Sequence, residues 1–99
     1  MAALADHSNV IDTAIDVLQR KGFQVWHDKE QGKYCAERDG WDFVARSPVS
    51  LLGLVAIFEA TQPESWREYW WKSPRTSLHE ALPDEPRPYA PIFRRDGSR

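Results

Sequence analysis

The least polar stretch of the chain runs from Pro48 to Phe58, Pro-Val-Ser-Leu-Leu-Gly-Leu-Val-Ala-Ile-Phe. A surface helix shows a single apolar stripe, whereas a helix apolar on nearly all sides is usually buried. The run is too short to cross a bilayer, which takes roughly 20 residues. It predicts the central helix of a small core. Ser47 is placed to cap it, and Pro48 occupies the first position, where a missing N–H costs nothing. The helix is expected to end near Thr61. Gly53 lowers helix propensity by about 1 kcal/mol relative to Ala, so a close approach to the sheet or to another helix is expected there.

Upstream, the apolar period is that of an amphipathic helix over about Asn9–Lys21. Val10, Ile11, Ala14, Ile15, Val17 and Leu18 fall on one side, and Asp12, Asp16, Gln19 and Arg20 on the other. Asn9 is expected to cap the start, Asp12 to favour the first turn, and Gly22 to supply a left-handed stop. Three strands are then predicted, Phe23–Asp28, Lys33–Arg38 and Trp41–Arg46. Asp39-Gly40 makes a two-residue type I′ turn, and Lys29-Glu30-Gln31-Gly32 a looser one.

Beyond the central helix, Pro63 opens a predicted third helix, Glu64–Lys72. At that spacing Trp66, Tyr69 and Trp70 share a face (more often core than a ligand box), while Trp71 points elsewhere, within reach of Arg67. Ser77–Leu82 adds one further turn. From Pro83 the composition changes to Pro and charge, with Pro86, Pro88 and Pro91 among Asp84, Glu85, Arg87, Arg94 and Arg95. This predicts an extended or disordered tail over 83–99 behind a single domain over 1–82. Tyr89, Ile92 and Phe93 are apolar points within it. The expected fold is α+β, in the order α-β-β-β-α-α, with the first two helices on one face of an antiparallel meander.

The Asp39-Gly40 turn also predicts the register. It opposes Arg38 to Trp41, Glu37 to Asp42, Ala36 to Phe43, Cys35 to Val44 and Tyr34 to Ala45. A four-residue first loop opposes Val25 to Ala36 and Trp26 to Cys35. Alternation then places Phe23, Val25, His27, Tyr34, Ala36, Trp41, Phe43 and Ala45 on the core face. The opposite face carries Gln24, Trp26, Asp28, Lys33, Cys35, Glu37, Asp42, Val44 and Arg46. An open sheet face is usually polar throughout. This one has an apolar row, Trp26, Cys35 and Val44, between Lys33 and Arg46 at one end and Glu37 and Asp42 at the other. Either the third helix or the tail folds over that row, or it is a partner or self-association surface.

Catalytic chemistry finds little support. Glu37 and Asp42 are predicted cross-strand neighbours, a mildly destabilising pair of like charges. Paired carboxylates can hold a metal or share a proton, but no further ligands accompany them. Water, or an Arg from Arg87, Arg94 or Arg95, is the simpler partner. Cys35 lacks an adjacent base, since alternation puts His27 on the other face. His7, His27 and His79 have no metal-ligand spacing, and phosphate-loop, nucleophile-elbow and dinucleotide motifs are absent. No cofactor and no enzymatic activity are expected.

Composition sharpens this in three places. The formal net charge of −2 argues against broad electrostatic binding to nucleic acid. The single Cys35 excludes an internal disulfide and suits a reducing, cytoplasmic setting, and the first residues show neither a secretion signal nor a membrane span. Five Trp in 99 residues is the unusual count, and Trp is favoured at interfaces. The order helix, three strands, helix resembles double-stranded-RNA-binding domains, in topology alone. Their contacts use a lysine cluster at the start of the last helix, where this chain reads Ser47-Pro48-Val49-Ser50-Leu51-Leu52. The strand–strand–helix portion is also loosely similar to antitoxins whose small sheet covers a toxin. The expected role is a small non-enzymatic interaction or regulatory protein acting through Trp26, Cys35 and Val44 and through Trp66, Tyr69, Trp70 and Trp71. Its partner is an unidentified protein or a second copy, and a nucleic-acid-binding module is the alternative.

Overall fold

Helix α1 spans Ile11–Arg20 and is entered through a 3-10 turn, Ser8–Val10. The expected Asn9 cap is not formed. The chain turns through the tighter 3-10 segment first, and no side chain caps either start. The far end of α1 follows its sequence closely. Gly22, at φ 93°, lets Phe23 N–H donate to the Leu18 carbonyl at 3.1 Å and its own N–H to Gln19 at 3.0 Å. These are the two bonds of a Schellman stop, and its usual apolar contact is supplied by Leu18 and Phe23, both buried in the core. In the computed structural model residues 3–88 are described.

Strands β1 (Gln24–Asp28), β2 (Lys33–Arg38) and β3 (Trp41–Ala45) form an antiparallel sheet in the order β1-β2-β3. The register is the one that the Asp39-Gly40 turn and the four-residue first loop predict, with Cys35 opposite both Trp26 and Val44, and Glu37 opposite Asp42. Asp39 and Gly40 have φ of 54° and 84°, the left-handed pair that a type I′ turn requires.

Helix α2 spans Pro48–Thr61, and the Ser47 hydroxyl accepts from Ser50 N–H at 3.1 Å. Both helices lie on the face that carries Ala36 and Phe43. The core consists of Leu18, Phe23, Ala36, Phe43, Leu51 and Val55. Leu18, Leu51 and Val55 are fully buried, each contributing about 1.5–3 kcal/mol of transfer free energy. Arg38 closes one end of this layer. Its Nη1 donates to the Lys21 carbonyl at 2.7 Å, and its guanidinium lies 4.5 Å from the Phe23 ring centroid. Beside it, Lys21 Nζ pairs with Glu59 Oε2 at 2.9 Å, tying the end of α1 to α2.

Three details depart from expectation. Helix α2 is not enclosed: Leu51 and Val55 face the core, while Gly53, Ala56 and Ile57 are exposed. Among the described residues, two helices on one face of a three-stranded sheet leave the outer side of α2 with no layer above it. Gly53 accordingly meets no close neighbour, and a Cβ built there would find no atom within 4 Å. His27, on the core face by alternation, is exposed, its ring stacked on Tyr34 at 4.3 Å.

The predicted third helix is also absent from the described residues. Gln62 ends α2 in the left-handed conformation at φ 51°, and residues 64–71 form bends and a turn, with Tyr69 at φ 61°. A helix of nine residues is marginal unless packing stabilises it. Here the Trp70 ring docks while its neighbours turn away. Residues 77–81 close one hydrogen-bonded turn, Ala81 N–H to the Ser77 carbonyl at 3.2 Å, and residues 83–88 contain no helix or strand. Tyr89, Pro91, Ile92, Phe93, Arg94 and Arg95 lie outside the described residues. The chain divides into two units, and the elements from the 3-10 turn to α2, with the loop as far as Trp71, belong to one of them, Asp6–Trp71.

Candidate functional site

The open face of the sheet holds Trp26, Cys35 and Val44 side by side, as the register requires. Trp26 and Val44, at 44% and 53% exposure, flank a Cys35 that is itself only 8% exposed. The row is therefore an exposed apolar surface with its thiol shielded in the middle. A folded-over third helix does not cover it.

Glu37 and Asp42 are direct neighbours on this face. Glu37 Oε2 accepts the Gly40 N–H at 2.9 Å, which gives one of the two carboxylates a local structural partner; of the tail arginines, Arg94 and Arg95 lie outside the described residues. Among the described residues no group of three His, Cys, Asp or Glu is placed to hold a metal, and no helix is long and apolar enough to cross a membrane.

The four aromatic residues of the loop separate, because a helix face does not hold them together. Trp70 is half-buried, meeting Trp41 at 5.4 Å and Phe58 at 6.1 Å between ring centroids, both edge-on. Trp71 is exposed and its ring meets Tyr69 at 5.8 Å, in place of the Arg67 contact expected from helical spacing. Trp66 is the most exposed of them at 68%.

This rearrangement brings Trp70 and Trp71 beside the outer edge of β3. There they join Val44, Leu54 and Ile57, above Phe43 and Asp42, in an apolar groove of about 400 Å³. A second groove, of about 510 Å³, continues along the same edge towards the hairpin turn between Trp41 and Trp66. Leu54 and Ile57 are the site residues that the amino-acid sequence does not single out by motif. Their signal is the all-round apolarity of α2, which two helices on one sheet face cannot bury.

The backbone of β3 adds a polar component. In a two-residue hairpin the flanking pair, here Arg38 and Trp41, exchanges hydrogen bonds, and such pairs alternate along the ladder. Phe43 and Ala45 therefore bond inward to β2, while the N–H and C=O of Asp42 and Val44 point outward into the groove. Among the described residues, an exposed apolar row, an open strand edge and an apolar trough thus meet at Val44. No protein-family model, curated protein or solved structure matches this chain.

Proposed function

We propose that this is a non-enzymatic protein–protein interaction module that works through the β3 side of its sheet. The observation that carries this reading is the continuity of apolar surface at Val44. Trp26 and Val44 on the open face run round the strand edge into the groove lined by Leu54, Ile57 and Trp71. Apolar surface of this kind, with Lys33 and Arg46 at one end and Glu37 and Asp42 at the other, has the apolar centre and polar rim of a recognition patch. A cytoplasmic setting fits the lone Cys35.

Nucleic acid is the less favoured partner. Residues 47–52 at the start of α2 carry no cation, whereas phosphate contacts there would need several.

The test compares proteins captured from native extract by the wild-type chain and by Trp26→Ala and Trp71→Ala, each checked for folding by circular dichroism. Loss of the same partner from both variants, with the fold intact, is the expected result. An unchanged set of partners, or none with the wild type, contradicts the reading.

A further inference from the structure

Self-complementarity is written into the exposed edge of β3. Asp42 stands two residues before Val44 on the open face, and Arg46 two residues after it, at the bend by which the chain leaves β3 for α2. Both are exposed, and neither makes an ion pair among the described residues. The groups of Asp42 and Val44 that point outward are those an added antiparallel strand would bond.

We infer that the occupant of this edge is a second copy of the chain, its β3 paired antiparallel about a two-fold axis through Val44, which makes a continuous six-stranded sheet. The inference rests on the interaction reading above and assigns the strand edge to a second copy, which leaves the Trp26 face to a foreign partner. In this register Val44 faces Val44, and Asp42 faces Arg46 of the second copy twice over. The pairing thus opposes unlike charges at both ends of the contact, whereas a slip of two residues sets one of them against Val44. The hydrogen-bonding phase agrees at the centre of the contact, since the outward groups of Val44 meet those of the second Val44. Both α2 helices then lie on the same side of the joined sheet, and Trp71, which borders the edge of β3 in the single chain, moves aside to admit the second strand. A symmetric contact of this kind is isologous and closes on two chains.

The test is a charge swap read by light scattering or sedimentation, over about 1 μM to 1 mM protein. Wild type should pass from monomer to dimer, more weakly at high salt. Asp42→Arg and Arg46→Asp should each be monomeric alone, because each sets like charges together twice. Mixed in equal amounts they should form a heterodimer, because an Arg then faces an Asp in both pairs, one of them with its polarity reversed. Val44→Pro, which removes an outward N–H and leaves the β2 ladder untouched, should abolish dimers of wild-type charge. Circular dichroism verifies that each variant is folded.

A wild type that stays monomeric at about 1 mM overturns the self-pairing, and so do single swaps that dimerise as well as wild type. Neither result touches the capture experiment, in which loss of a foreign partner stands or falls on Trp26 and Trp71.

Discussion

Trp70 meets Trp41 edge-on, with ring centroids 5.4 Å apart and planes at 75°. This contact anchors the loop after α2 to the first residue of β3, and it sets one wall of the groove beside that strand. Trp70→Ala should lower stability to urea unfolding by about 1–3 kcal/mol, since a half-buried aromatic loses less than a fully buried one. Trp66→Ala, at an exposed position, should change it by no more than about 0.5 kcal/mol. Equal effects from the two would contradict the anchoring role.

The two glycines next to and within the helices should respond with opposite sign. Gly22 needs its positive φ to end α1, so Gly22→Ala should destabilise by about 1 kcal/mol or more. Gly53 sits in open space on the outer side of α2, so Gly53→Ala should stabilise by roughly 0.5–1 kcal/mol. Thermal or urea unfolding of both variants checks the pair. A destabilising Gly53→Ala would mean that something packs where the structure leaves space.

Cys35 should react slowly with a thiol reagent in the folded protein, because its neighbours on the open face leave it only 8% exposed. Trp26 is its direct partner across the β1–β2 ladder. Trp26→Ala should therefore raise the labelling rate several-fold while the fold remains. An unchanged rate would show that the thiol is shielded by something other than Trp26.

Much of the fold is legible in the sequence because local chemistry is strong where it matters. The Asp39-Gly40 turn demands two left-handed residues in succession and sets the register of β2 on β3, and the four-residue first loop sets that of β1 on β2. Gly22 and Ser47-Pro48 mark two helix ends with bonds that can be named in advance. The open apolar row of Trp26, Cys35 and Val44 follows from the same register.

What escaped the sequence has a physical reason in each case. The spacing of Trp66, Tyr69 and Trp70 suits a helix, but so short a segment takes its shape from where one large ring can dock, a tertiary effect. The apolarity of α2 reads as burial, yet burial depends on how many layers the fold has. With a single helical layer, Ile57 stays in water. The groove beside β3 arises from both departures together, so periodicity could indicate that apolar surface would be left over but not that it would gather at Val44.

The working edge of β3 is tested most directly by hydrogen exchange of its backbone amides as protein concentration rises. Phe43 N–H bonds inward to β2 and should be protected throughout, its protection set by the stability of the fold. Val44 N–H points outward. It should exchange freely in dilute protein and gain protection at high concentration, in step with Asp42. A Val44 amide that exchanges freely at every concentration, or one whose protection never varies with concentration, would contradict pairing of this edge with a second copy.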